Sequence, residues 1–159
     1  MSPAFSQQYE LVRDARAALL AYCATLRPED FTAPVPAFNH NCIRDLLVHV
    51  AGAYHVWLGQ VALGQAAAPT PPAEVPDVAA ARRLYARVDA LVADFARHVA
   101  PTWLVQRAFH FPRHPAPLQL SPLQLFTHVI THEFHHKGQA LSMSRLLGYT
   151  PADTDVVRF

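Results

Sequence analysis

The sequence predicts an all-α protein that forms a four-helix bundle, with one domain over residues 1–159. Four segments carry apolar residues at helical spacing, and the fourteen prolines of the chain crowd the gaps between these segments. Because proline breaks helices, its clustering marks where each helix stops. No segment shows the alternation of apolar and polar residues that indicates a strand. Four long helices without strands favour a bundle, and 159 residues fit one domain that buries its own core.

The first two predicted helices cover about Pro3–Leu26 and Cys42–Leu63. Ser2 is the expected N-cap of the first helix, Pro3 takes the tolerated first position, and Pro28 lies just beyond the end. The second helix presents its apolar residues within one arc of about 120°. That arc consists of Ile43, Leu46, Leu47, Val50, Tyr54, Trp57, Leu58 and Val61. Both helices are therefore expected to contribute to a common core.

The third predicted helix runs from about Val78 to Val99, after a proline-rich loop at 66–76. Asp77 is the expected N-cap, since its carboxylate can accept a backbone N–H of the first turn. One face of this helix carries Leu84, Val88, Leu91 and Phe95. Residues 100–120 combine several prolines with aromatic residues, which predicts an irregular or partly extended connection that packs over one end of the bundle.

The fourth predicted helix has the clearest boundaries of the four. Ser121 is the expected N-cap, Pro122 takes the first helical position, and Gln124 is placed to complete a capping box. The helix is predicted to end at Leu147. Gly148 suits the left-handed position that commonly follows a helix.

Composition and charge exclude several classes of protein. Hydrophobic residues make up 52% of the chain and charged residues 16%, which excludes a disordered chain. The net charge of +1, without a cluster of Lys and Arg, predicts no nucleic-acid partner. The sequence shows no signal-peptide pattern, and no apolar stretch approaches the roughly 20 residues of a membrane span. Cys23 and Cys42 are too few for a disulfide framework, so we expect reduced thiols, a cytoplasmic location and no membrane partner.

The fourth helix places two histidines where a bundle needs apolar side chains. Its core-facing seam is predicted to consist of Leu125, Val129, His132, His136, Ala140, Met143 and Leu147. His132 and His136 are four residues apart, so their rings project from one face on successive turns. Burying two imidazoles costs free energy unless each finds a partner, and a shared divalent cation satisfies both. Hydrogen bonds to nearby polar groups are the other interpretation, but the paired spacing favours a metal ion.

Other polar residues of this helix lie near the pair. His128 and His135 flank the same arc, and we interpret them as donors to the ligands, as groups facing a substrate, or as solvated surface. Gln139 is placed to orient His135 or His136, and a solvent-facing position is the equal alternative.

Two further metal chemistries would use the same residues. Positions 132–136 match the His-Glu-x-x-His pattern of zinc peptidases, in which Glu133 would be the general base. However, Gln139 and Ser142 stand where the longer form of that motif has glycine and histidine. A di-iron carboxylate site needs more helical glutamates than this chain provides. We therefore disfavour both, and retain Glu133 as a residue that hydrogen-bonds to the ligands or lines a pocket.

A catalytic type of zinc or nickel site needs a third ligand, and the second helix offers His49 and His55. Each lies about 60° outside an edge of the apolar arc, on opposite sides, so helix geometry does not choose between them. Tyr54 and Trp57 are candidates for lining a pocket near the metal, although aromatic residues at this spacing more often belong to the core.

The segments LLVHVAGAYHVWL and HVITHEFHHKGQALSMSRLLGYTPADTDVVRF resemble the DinB family of bacterial four-helix metalloproteins. The similarity spans nearly the whole chain, and the string His-x-x-His-His-x-Gly-Gln is its most specific part. The resemblance implies one divalent metal ion, often nickel or zinc, held by His49, His132 and His136. It also implies an up-down-down-up order of the helices and a homodimer.

The resemblance also implies a class of reaction. Three neutral ring nitrogens leave one or more coordination positions of a metal open to water or substrate. Relatives in this superfamily include thiol-dependent S-transferases and a mycothiol-dependent isomerase. We therefore expect transfer of a low-molecular-weight thiol to a small electrophilic molecule, or hydrolysis of such a molecule. A non-catalytic metal-binding protein of the stress response is the alternative, and a helical interaction module with incidental histidines is the third interpretation.

Overall fold

Helices account for most of the chain. The computed structural model describes residues 3–66, 68–111 and 114–158. The long helices are α1 (Pro3–Cys23), α2 (Ile43–Tyr54), α3 (Val78–Val99) and α4 (Pro122–Leu146). A π-helical segment continues α2 over His55–Ala62. Short 3-10 turns cover Pro28–Phe31, Pro36–Phe38, Pro72–Glu74 and Ala100–Thr102. This mostly helical architecture confirms the predicted class.

The predicted helix caps are present in the structure. The Asp77 carboxylate accepts the backbone N–H of Ala80 at 2.7 Å and begins α3. At the start of α4, the Ser121 hydroxyl accepts the N–H of Gln124, whose side chain accepts the N–H of Ser121 at 2.8 Å. Gly148 adopts a φ of 92° just after α4, a conformation that favours glycine. These caps place α3 and α4 within one residue of their predicted bounds.

The prediction for the first helix was too long at its C-terminus. The helix ends at Cys23 and not at Leu26, because the Leu26 N–H donates to the Cys23 carbonyl three residues earlier. This tighter hydrogen bond closes a 3-10 turn and stops the α-helical pattern. The predicted N-cap, Ser2, lies outside the described residues.

The second helix is not α-helical over its predicted length. After Tyr54 the chain widens into the π-helical segment, in which each turn contains more residues than an α-turn. In a regular α-helix, Trp57 would lie about 80° around the axis from His49. The wider turn reduces this angle, so it brings Trp57 toward the face of the helix that carries His49.

The connection from α3 to α4 contains a short hairpin that the sequence pattern did not indicate. Strands β1 (Arg107–Phe109) and β2 (Leu118–Leu120) are antiparallel and three residues long. Phe109 is buried, and the ring of Phe111 lies 4.6 Å from that of Trp57. The expectation of a partly extended connection is met, and its aromatic residues reach the first turn of the π-helical segment.

The buried apolar side chains of all four long helices join in one cluster. On α4, however, the predicted seam was wrong at its centre, because His132 and His136 are only half-buried. The neighbouring charged residues Glu133 and Lys137 are buried instead, with 7% and 8% of their surfaces exposed. Among the described residues, no helix is long and apolar enough to cross a membrane.

Candidate metal centre

Three histidines from two helices converge beside the middle of α2. One ring nitrogen of His49, from α2, and one each of His132 and His136, from α4, all lie within 4.8 Å of one another. The Nε2 atoms of His49 and His132 are 3.1 Å apart. The three rings have centroids between 4.4 and 5.0 Å apart. We call these three residues the histidine triad.

The local sequence explains why these side chains meet. His132 and His136 are one helical turn apart, so α4 presents both rings on one side. Helix α2 begins at Ile43, where the Asp45 carboxylate accepts the N–H of Cys42 at 3.1 Å and satisfies the first turn. Helices α2 and α4 pack against each other, and His49 therefore faces the two rings of α4.

Exposure and protonation both suit metal binding. His49 is exposed to solvent, and His132 and His136 are half-buried. Burial, followed by the neighbouring His136 and His49, lowers the pKa of His132 to about 4. Burial also lowers the pKa of His136. These two imidazoles are therefore neutral near pH 7, the form in which a ring nitrogen can coordinate a metal.

Gln139 orients one ring of the triad. Its side-chain oxygen lies 2.7 Å from Nδ1 of His136. Because an amide oxygen only accepts hydrogen bonds, this contact assigns the ring proton to Nδ1 and leaves a lone pair on Nε2. Of the two histidines that the sequence analysis considered for Gln139, the structure pairs it with His136.

The remaining histidines near the triad form its rim. His128 is exposed, and its ring lies 5.8 Å from that of His132 and 4.2 Å from that of Trp57. His135 is also exposed, with its ring 4.9 Å from that of His136. Among the described residues, neither belongs to the group of nitrogens that converge, and neither does His55. The structure thus places His49, and not His55, next to the α4 pair. Helix geometry alone had not distinguished these two histidines.

Glu133 and Tyr54 lie in the protein core and not in an open pocket. The Tyr54 side chain is completely buried, and its hydroxyl donates to Oε2 of Glu133 at 2.6 Å. Arg16 of α1 donates to both oxygens of the same carboxylate, at 2.6 and 2.9 Å. A glutamate held in this way is not available as the general base of a zinc peptidase. The His-Glu-x-x-His string is therefore not a zinc-peptidase motif in this chain, because its glutamate belongs to a buried ion pair.

Sequence reasoning missed Arg16, which is only 4% exposed. The signal that could have found it is its position on the apolar face of α1. Val12 and Tyr9 precede it by one and two turns on that face, and both are buried. A charged residue in such a row predicts a buried partner of opposite charge.

The residues of the triad fit a divalent metal ion. Imidazole nitrogens suit zinc and nickel. Ligand atoms on one tetrahedral ion with bonds of about 2.1 Å lie about 3.4 Å apart, close to the 3.1 Å between the His49 and His132 nitrogens. Three histidines would fill three positions of such an ion, and the exposure of His49 would leave a further position accessible to solvent. The triad can therefore hold one metal ion with room for a further ligand.

Comparison with known proteins identifies the family of the chain. The model of the DinB family matches residues 1–159, the whole chain. No curated protein matches it. The protein belongs to the DinB family.

Proposed function

We propose that the protein binds one divalent metal ion, nickel or zinc, and uses it to transfer a low-molecular-weight thiol to a small electrophilic molecule. The ligands are His49, His132 and His136. The observation that carries the proposal is the convergence of three imidazole nitrogens within 4.8 Å at a surface that solvent reaches. A purely structural zinc site is closed by four protein ligands, whereas three ligands are typical of catalytic sites.

Each part of the chain contributes to this proposal in its own way. His132 and His136 supply neutral nitrogens from a rigid helix, and Gln139 holds the His136 ring by its Nδ1 proton. Exposed His49 leaves the approach from solvent open. A divalent ion in this place would act as a Lewis acid and lower the pKa of a coordinated thiol or water. Water in place of the thiol would give a hydrolase, and the resemblance to thiol-dependent relatives favours the transferase.

The rim of the triad supports a small-molecule substrate. Trp57 packs on His128 and on Phe111, with ring centroids 4.2 and 4.6 Å apart. Trp57 and Phe111 are half-buried, so each still offers part of its ring to solvent. Flat rings that reach the triad through His128 would suit a ligand with an apolar or aromatic part.

The proposal includes the finer features that the family resemblance implies. The helices follow an up-down-down-up order in a single four-helix domain, and two chains form a homodimer. The protein acts in the cytoplasm, with neither a nucleic acid nor a membrane as its partner.

Thiol transfer is tested by assaying the purified protein with glutathione, bacillithiol or mycothiol and 1-chloro-2,4-dinitrobenzene. We expect turnover that disappears on chelation and returns when nickel or zinc is added. His49→Ala should abolish the metal-dependent rate, and His55→Ala on the same helix is the matched control that should retain it. Absence of turnover with all three thiols, or turnover that chelation does not change, would contradict the proposal.

A further inference from the structure

An ion pair lies buried beside the histidine triad. Arg16 of α1 and Glu133 of α4 are 4% and 7% exposed. The guanidinium donates to both carboxylate oxygens, Nε to Oε1 at 2.6 Å and Nη2 to Oε2 at 2.9 Å. This two-point contact fixes the direction of both side chains, because the planar groups must lie in register.

The same ion pair is connected to the other two long helices. From α2, the Tyr54 hydroxyl donates to Oε2 of Glu133 at 2.6 Å. From α3, Asp89 accepts from Nη1 of Arg16 at 2.7 Å, and the ring of Tyr85 lies 4.6 Å from the guanidinium carbon. All four long helices therefore meet at one polar cluster in the core.

Stability alone does not explain such a cluster. Desolvating two charges costs about as much as their attraction returns, and well-packed apolar residues in the same volume are often as stable. A hydrogen-bonded ion pair differs from apolar packing in being directional. It allows one rotation of each helix, whereas apolar side chains tolerate small shifts.

The rotation of α4 decides where the triad points. Glu133 faces the core, and His132 is its direct neighbour, about 100° around the helix axis. His136 lies three residues beyond Glu133, so it shares the edge of α4 with His132. On α2, Tyr54 lies five residues after His49, about 7.5 Å along the axis. The Tyr54–Glu133 hydrogen bond thus joins the two helices that carry the ligands, within two turns of the triad.

We infer that Arg16, Glu133 and Tyr54 form a positioning cluster, which sets the spacing between His49 and the α4 pair to the distance that a shared metal ion needs. Glu133 is a positioning residue and neither a metal ligand nor a general base. The inference deepens the proposed function and rests on it, since it assigns the cluster a role in that metal site.

Two matched tyrosine variants test the inference. Tyr54→Phe removes the hydroxyl that joins α2 to Glu133. Tyr9→Phe removes a buried hydroxyl of α1 that donates to Asp89 of α3 at 2.8 Å and accepts from Nη2 of Arg16 at 3.3 Å. The two changes are chemically identical, and only the first lies between the ligand-bearing helices.

The first measurement is the affinity for Co²⁺, in competition with a coloured chelator and by the visible absorption of the bound ion. We expect Tyr54→Phe to weaken Co²⁺ binding about tenfold, as loss of groups supporting ligands does, and to change the absorption bands. Tyr9→Phe should change the Co²⁺ affinity by less than about twofold, even if its thermal stability falls as much as that of Tyr54→Phe. Glu133→Gln should weaken Co²⁺ binding further. If Glu133→Gln does not fold, the comparison of Tyr54→Phe with Tyr9→Phe alone tests the inference.

The second measurement uses the metal-free protein, so that it does not depend on the proposed function. Imidazole ¹⁵N NMR signals of His132 and His136 should shift in Tyr54→Phe and stay in place in Tyr9→Phe. If the wild type binds no Co²⁺, the proposed function fails, while these signals still report on positioning. The inference is overturned if the two tyrosine variants alter the triad equally, or if neither alters it.

Discussion

Two polar clusters lie side by side on α4 and differ in how their groups are satisfied. In the positioning cluster, Glu133 and Arg16 are buried, and each is paired with groups of the same chain. In the histidine triad, His49 and His132 present the same Nε2 atom to each other at 3.1 Å, at a surface open to solvent. Buried opposite charges that are paired with each other join the helices that carry them. Imidazole nitrogens that converge at an exposed surface favour a cation supplied from outside.

The largest effect is expected from breaking the buried pair. Arg16→Met leaves the Glu133 carboxylate buried without its ionic partner, which should lower the free energy of unfolding by about 3–5 kcal/mol. Arg13→Met, three residues earlier and exposed, should cost less than about 1 kcal/mol. Urea unfolding of both variants in the presence of EDTA measures the difference. Equal losses would contradict the distinction between buried and surface charges.

Removal of a triad histidine should weaken metal binding and leave the stability of the metal-free protein almost unchanged. His132→Ala should weaken the binding of Zn²⁺ or Ni²⁺ by at least about 100-fold, because a ligand is lost. The unfolding free energy of the metal-free protein should change little, since the ring is half-buried and held in no ion pair. Calorimetric titration measures the binding. His135→Ala, an exposed histidine of the same helix, is the control and should bind like the wild type.

Alkaline pH should lower the stability of the protein through its buried tyrosines. Burial raises the pKa of Tyr9, Tyr54 and Tyr85 well above the ordinary value of 10. Above pH 10 the unfolded chain releases these protons and the folded chain keeps them, so stability falls as pH rises. The expected slope is about 1.4 kcal/mol per pH unit for each such tyrosine. Urea unfolding at pH 9, 10 and 11 measures it, and Tyr54→Phe should show a shallower fall. A flat profile would show that these hydroxyls titrate normally.

The smallest effect is expected at Gln139, which supports the triad from within α4. Gln139→Ala removes the acceptor of the His136 Nδ1 proton, which should reduce metal affinity about tenfold. Gln139→Glu keeps an acceptor oxygen and should restore most of the affinity. A Gln139→Ala variant that binds metal as tightly as the wild type would show that this hydrogen bond does not orient the ring.

The sequence predicted best where local chemistry decides the structure. The N-caps Asp77 and Ser121 defined the starts of α3 and α4, because a cap depends on residues three positions away. The paired spacing of His132 and His136 likewise follows from a single helical turn. His49 required the family resemblance, since the wheel of the second helix favoured neither His49 nor His55.

The failures of prediction on α4 have a common cause in partners distant along the chain. The buried row of α4 runs through Glu133 because Arg16, 117 residues earlier, neutralises it. Lys137 is buried because its ammonium donates to the Thr154 carbonyl at 2.6 Å. Neither partner is visible in the periodicity of α4, so apolar patterning assigned the core to the histidines instead.

Elemental analysis of the purified protein tests the central claim most directly. After exposure to nickel or zinc and removal of the excess, the wild type should carry about one ion per chain, and His49→Ala should carry almost none. A wild type that retains no ion, or a His49→Ala variant that retains as much as the wild type, would contradict a metal centre built from the three histidines.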